Sequence, residues 1–149
     1  MIGPGTGVAP FRAFMQDRLF AKNQKQMLGM SILFTGCRNR AEDYIYADEW
    51  EDLKTLLGND FQIHTVFSRE AAEKVYVQHR MMEVKEQLFD LIHNNKAWVY
   101  ICGDAAHMAK DVSTALVDII ARGKGIATKD AVNYITNLKD SGRMHEDIW

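Results

Sequence analysis

The sequence predicts an α/β fold built on a doubly wound, mostly parallel sheet of five strands. Segments of helical period alternate with short β-rich runs, the pattern of strands joined by crossover helices. The breakers are also concentrated: Pro4, Pro10 and three glycines fall in the first ten residues, and no proline interrupts the chain after that. The length, 149 residues, matches one domain of about 150 residues, so residues 1–149 are expected to form a single compact unit.

Only Met1 and Ile2 precede the first glycine turn, so the first strand is expected to be short, a segment starting inside an element of a longer protein. A sheet underfilled at that position would lose stability. From Phe11 to about Gln24, Phe11, Phe14, Met15 and Leu19 repeat at helical spacing. Ser31–Cys37 is short and β-rich and reads as a buried strand. Helical period returns from Tyr46 to Leu57 through Trp50, Leu53, Leu56 and Leu57, with Gly58 as C-cap. Phe61–Phe67 is strand-like, Glu70–Lys74 is a polar loop, and Tyr76–His93 reads as one helix. Trp98–Cys102 is a strand stopped by Gly103. Ala105 to about Arg122 is helical and ends at Gly123 and Gly125. Thr128 is the expected N-cap of a helix reaching about Asp140, and Arg143–Trp149 forms the last short strand.

Composition excludes several classes. Hydrophobic residues make up 47% and charged residues 26%, as in an ordinary globule, and the net charge is −2. That balance gives no general attraction to nucleic acid or an anionic membrane, so any anion site must be local. The longest apolar run, Ala97–Cys102, is far too short to span a bilayer. Two cysteines build no disulfide framework, and the absence of C-x-x-C and of metal-ligand histidine spacing argues against a metal site.

In a sheet of this kind ligands sit at the carboxyl ends of the strands. Gly3-Pro4-Gly5-Thr6-Gly7-Val8-Ala9-Pro10 is a glycine-rich turn running into a helix, either a phosphate cradle or simply a tight turn. It is neither a triphosphatase loop nor a strict G-x-G-x-x-G. At the end of the second strand, where NAD-selective folds place an acid, stand Cys37-Arg38-Asn39-Arg40. Guanidiniums there can hold a 2′-phosphate, with Ser68 as donor, Arg69 and Lys74 as charge partners and Tyr76 stacking on adenine. The alternative is a set of solvated loop-end charges. Cys102, before Gly103-Asp104, reads as a small buried hydrophobe, and Trp149 as an aromatic that packs a strand end onto the core.

Taken in order, Met1–Arg12, Gly36-Cys37-Arg38, Glu42-Asp43-Tyr44, Phe67–Glu70 and Lys74–His79 resemble the ferredoxin–NADP reductase superfamily in its diflavin-reductase branch. So do Tyr100–Ala105, Met108–Val112, Ser141-Gly142-Arg143 and Glu146–Trp149, and the resemblance covers the whole chain. It implies the Rossmann-like NADP-binding domain of a larger flavoprotein whose FAD and FMN domains, with a serine used in hydride transfer, lie outside these residues. Gly5, Thr6 and Gly7 would then lie against the pyrophosphate and nicotinamide side. Arg38, Ser68, Arg69, Lys74, Tyr76 and Gln78 would form the 2′-phosphate and adenosine site, and Asp104 and Asp111 belong to the nucleotide contacts. Cys102 and Asp147 would stand beside the nicotinamide, and Trp149 would cover the flavin ring and move to admit it. The terminal tryptophan leans away from the bacterial sulfite-reductase flavoprotein and the plant ferredoxin reductases.

The activity so implied is that of an NADPH–haemoprotein reductase. NADPH is positioned for hydride transfer to FAD, and electrons pass through FMN to a haem protein such as a cytochrome P450. Without its flavin domains the segment would bind NADP(H) but not transfer electrons. The alternatives are the same module serving sulfite reductase, methionine synthase reductase or pyruvate:NADP oxidoreductase, or a nucleotide-sensing domain without electron transfer. The partners implied are the FAD and FMN domains of the same polypeptide and a redox acceptor protein, with no nucleic acid and no membrane contact from this segment. A cytoplasmic location, soluble or on the cytosolic face of a membrane, goes with them.

Overall fold

The computed structural model describes residues 1–149, a mixed α/β chain that divides into two compact units, Met1–Val77 and Gln78–Trp149. No helix is long and apolar enough to cross a membrane.

In the first unit Met1–Gly3 runs parallel along β1 (Ser31–Cys37), bridged at Ile2 and Phe34. The Phe34 N–H donates to the Met1 carbonyl at 2.9 Å and the Gly3 N–H to the Phe34 carbonyl at 2.9 Å. The buried Thr35 hydroxyl adds a bond to the Gly3 carbonyl at 2.9 Å. The expected first strand is thus a short bridge. The chain then turns through a 3₁₀ segment, Gly5–Val8, into α1 (Ala9–Asn23), with Pro10 in the first turn where its missing N–H is harmless. At Gly3 only glycine fits: a Cβ there would lie 2.6 Å from the Phe11 ring and 2.8 Å from the Gly7 carbonyl carbon.

All of β1 except Cys37 is buried, as expected of a strand covered on both faces. It pairs in parallel with β2 (Phe61–Phe67), Ser31 opposite Phe61 and Cys37 opposite Phe67, so the two strands end together. After the single turn α2 (Arg40–Asp43) comes α3 (Ala47–Leu57), which buries Trp50, Leu53 and Leu57 and leaves Leu56 exposed. Its i, i+3, i+7 stripe is narrower than the sequence pattern suggested, and Gly58 (φ 58°) caps it. Arg12 ties α1 to α3 through Glu49 at 2.7 Å, and Lys22 bonds Asp60 at 2.9 Å.

The second unit pairs β3 (Val99–Gly103) with β4 (Met144–Ile148), again in parallel. The long helix α6 (Met108–Lys124) buries Val112, Ala115, Leu116, Ile119 and Ile120. α7 (Thr128–Asp140) packs on it with Ala131, Ile135 and Leu138 buried. Hydrophobic area removed from water along these two stripes, roughly 25 cal/mol per Å², holds the unit together. Arg143 anchors the entry to β4 by donating from Nη2 to the Ile92 and Ala97 carbonyls at 2.7 and 2.8 Å.

Several expectations change. The helix expected over Tyr76–His93 is α4 (Val77–Glu83), then α5 (Lys85–Phe89), with a break at Val84 (φ −116°, ψ 29°) and a π-turn over Asp90–Asn94. The Asp90 carboxylate accepts both the Asn94 and Asn95 side-chain amides, at 2.7 and 2.8 Å, and this stabilises the widened turn. Gly123 does not end α6. It lies inside, where a Cβ would meet the Phe89 ring, and Gly125 (φ 63°) is the cap. Thr128 is the first residue of α7 rather than its N-cap, because the extended Ala127 supplies the carbonyl that the Asp130 and Ala131 N–H groups reach. Four strands appear, in two parallel pairs.

Candidate functional site: the strand ends

In the first unit, the ends of β1 and β2 join into one bonded surface. The Ser68 N–H donates to the Cys37 carbonyl at 2.9 Å and the Arg69 N–H to the Arg38 carbonyl at 3.0 Å. Arg38 and Arg69 are thereby backbone neighbours, both exposed, and Ser68 lies between β2 and Arg69. Arg40 lays its guanidinium over the Phe67 ring at 4.4 Å, and Tyr44 meets the same ring edge-on. Lys74, in the expected loop, and Tyr76, just before α4 where the sequence predicted helix, follow on the exposed stretch after β2.

Acids stand among these bases, but their oxygens are engaged elsewhere. The Asp43 carboxylate accepts the Arg38 and Asn39 N–H groups at 3.0 and 2.7 Å. Glu42 accepts the Asn39 side-chain amide at 2.5 Å, and Glu70 accepts the Arg40 N–H. None of Arg38, Arg40, Arg69 or Lys74 is in an ion pair. The backbone donors of Asn39 and Arg38 hold the Asp43 carboxyl below its ordinary range. The Cys37 thiol, pushed up to about 12 by burial and then by the nearby Asp43 carboxylate, stays protonated at neutral pH and is no nucleophile.

The glycine turn is compact and partly exposed. Gly5 sits at φ 58° with open space where a Cβ would lie, Thr6 is exposed, and Gly7 is buried and donates to the Pro4 carbonyl at 3.2 Å.

In the second unit, Cys102 stands directly opposite Asp147 in the β3–β4 register. Cys102 is buried, and burial, followed by the charge of Asp147, raises its pKa, so it presents an S–H beside a carboxylate. Trp149 is latched at the strand end, donating to the Gly103 carbonyl at 3.2 Å and accepting the Ala105 N–H at 2.9 Å. The residue is 63% exposed, which overturns the expectation from the residues alone that it packs onto the core. Asp104 takes the Ala106 and His107 N–H groups at 3.1 Å each, and these backbone donors lower its pKa. Gln78 donates to Asp111 at 3.0 Å.

The sequence-predicted residues therefore form two sets. Gly5, Thr6, Gly7, Arg38, Ser68, Arg69, Lys74 and Tyr76 belong to the first unit, and Gln78, Cys102, Asp104, Asp111, Asp147 and Trp149 to the second. Residue reading missed the bracing by Asp43 and Thr35. A carboxylate five residues after Arg38, on a one-turn helix, was the available signal for the first. A hydroxyl inside a β-rich apolar run was the signal for the second.

Comparison with known proteins bears on both sets. Over 149 residues the chain is 46% identical to the NADPH–cytochrome P450 reductase of Aspergillus fumigatus, of which it covers 21%. It is 48% identical over 156 aligned positions to that of Saccharomyces cerevisiae and 44% identical over 149 to that of Oryctolagus cuniculus, covering 22% of each. The chain itself is matched in full each time, and it spans about a fifth of the length of these relatives. The family model for the oxidoreductase NAD-binding domain matches residues 1–114, from the glycine turn through the ends of β1, β2 and β3 into α6, and the chain belongs to that family.

Proposed function

We propose that residues 1–149 are the NADP(H)-binding domain of an NADPH-dependent diflavin oxidoreductase that passes electrons to a haem-protein acceptor such as a cytochrome P450. The observation that carries this reading is the pair Arg38 and Arg69, joined through their backbones and in no ion pair, at strand ends where NAD-selective folds place an acid. Uncommitted guanidiniums beside acids already engaged with backbone and amide donors fit a dianionic 2′-phosphate. The similarity to reductases of that name supports the same reading.

In this reading Met1–Ile2, β1, β2, β3 and β4 are the five strands of one doubly wound, mostly parallel sheet, an arrangement supported by the parallel sense of every observed pairing. Arg38, Ser68 and Arg69 hold the 2′-phosphate, with Lys74 adding charge. Tyr76 stacks on adenine and Gln78, steadied by Asp111, contacts the adenosine. Gly5, Thr6 and Gly7 offer close backbone approach to the pyrophosphate. Asp104 holds the turn into α6 for the nucleotide. Cys102 and Asp147 orient and polarise the nicotinamide edge, the S–H as a neutral donor and the carboxylate as a fixed negative charge. Trp149, exposed and tethered only by its backbone, covers the flavin and moves aside for the nicotinamide. Bound NADPH supplies the hydride, and FAD and FMN in the full-length protein convert it to single electrons; this chain supplies position and electrostatics.

In the full-length protein, stopped-flow flavin reduction is expected to proceed with NADPH and to lag far behind with NADH at equal concentration. Equal rates would remove the 2′-phosphate from the account. No flavin reduction by either nucleotide would remove electron transfer from it.

A further inference from the structure

We infer that Asp43 is a positioning residue for 2′-phosphate selection, fixing the peptide of Arg38 so that its guanidinium is presented from one direction. The inference rests on the NADP(H) reading above.

The Arg38 backbone is held through both of its flanking peptides. Its N–H is taken by Asp43 Oδ2 at 3.0 Å, and its carbonyl accepts the Arg69 N–H at 3.0 Å. Asp43 Oδ1 takes the next N–H, that of Asn39, at 2.7 Å. The bracing is reciprocal, since the Asn39 carbonyl accepts the Glu42 and Asp43 N–H groups at 3.3 and 3.2 Å. Asn39 itself is extended (φ −133°, ψ 137°), so without the carboxylate nothing in the α2 turn would hold its N–H and that of Arg38 on one side. Across the gap, Arg69 is tied to the same carbonyl, and the two guanidinium-bearing residues share one rigid peptide.

An acid in an anion site would ordinarily repel the ligand. Here both Asp43 oxygens face backbone donors, so the charge is compensated locally while the geometry serves the neighbouring arginine. Preorganisation of this kind raises affinity by removing the ordering that the phosphate would otherwise have to impose. A role confined to folding would weaken every nucleotide alike. A role in aiming Arg38 weakens only ligands that carry the 2′-phosphate.

The test uses the full-length protein, with 2′-AMP and 5′-AMP as competitive inhibitors against NADPH. In Asp43→Ala, inhibition by 2′-AMP is expected to weaken about tenfold, the value of one charge-assisted hydrogen bond, while inhibition by 5′-AMP is unchanged. The near-isosteric Asp43→Asn keeps one acceptor oxygen and loses less, which covers the case where the alanine variant does not fold. In an Arg38→Ala background, Asp43→Asn is expected to cost nothing further, because it acts through that arginine. Equal weakening of both inhibitors, an additive double variant, or a full 2′-AMP preference in both Asp43 variants overturns the inference alone. A wild-type protein that does not prefer 2′-AMP overturns the NADP(H) reading and the inference with it.

Discussion

Arg69→Ala is expected to weaken NADP+ binding about a hundredfold or more while leaving NAD+ binding nearly unchanged. Charge-assisted hydrogen bonds are worth roughly 1.5–3 kcal/mol each, and a guanidinium makes two to a phosphate when it engages both prongs of its fork. Arg69 is placed to do so. Its backbone is fixed to the Arg38 carbonyl at 3.0 Å, its side chain is exposed, and no carboxylate holds it. Arg12 makes the contrast: it is committed to Glu49 at 2.7 Å and stacked over Tyr46, and it is a structural cation. Arg69→Lys keeps the charge and loses the fork, so its loss should fall between wild type and alanine. Titration of NADP+ and NAD+ against each variant checks this. Parallel loss of both ligands would mean that Arg69 supports the fold and not the 2′-phosphate.

Asp147→Asn is expected to slow flavin reduction by NADPH in the full-length protein by about a hundredfold, with NADP+ affinity retained, the scale of removing one preorganised electrostatic partner. Asp147 pairs in register with Cys102, so its backbone position is set by the β3–β4 ladder. In the proposed reading hydride departure leaves positive charge on the nicotinamide, and a fixed carboxylate beside it would favour that change. In the proposed role Cys102 acts as a thiol. Burial first, and the Asp147 charge second, raise its pKa, and a thiolate is disfavoured through the neutral range. Cys102→Ala is therefore expected to cost less than Asp147→Asn. Unchanged reduction rates in Asp147→Asn, measured by stopped-flow absorbance, would take Asp147 out of the chemistry.

Much of this architecture is legible in the residues because local period and burial agree. Ser31–Cys37 and Phe61–Phe67 appear as strands with the expected bounds, and Gly58 caps α3 as its position suggests. The misreadings have two causes that spacing does not show, a tertiary contact and local side-chain bonding. Gly123 looks like a terminator but is a gap for Phe89. Tyr76–His93 carries one helical pattern, yet it breaks at Val84 and widens where Asp90 collects two asparagine amides. At the site, residue types pointed to Arg38, Ser68 and Arg69, while the peptide bonding that joins them depends on the β1–β2 register. Asp43 was hidden for the same reason, since a carboxylate near an anion site reads as repulsion until its oxygens are seen on backbone donors.

In the proposed function the ends of β1 and β2 select a 2′-phosphate. Calorimetric titration of the wild-type, full-length protein with NADP+ and NAD+ tests it most directly. NADP+ is expected to bind more than about a hundredfold tighter, the worth of the two charge-assisted bonds from Arg69 with those of Arg38 added to them. Equal affinity for the two nucleotides would contradict it.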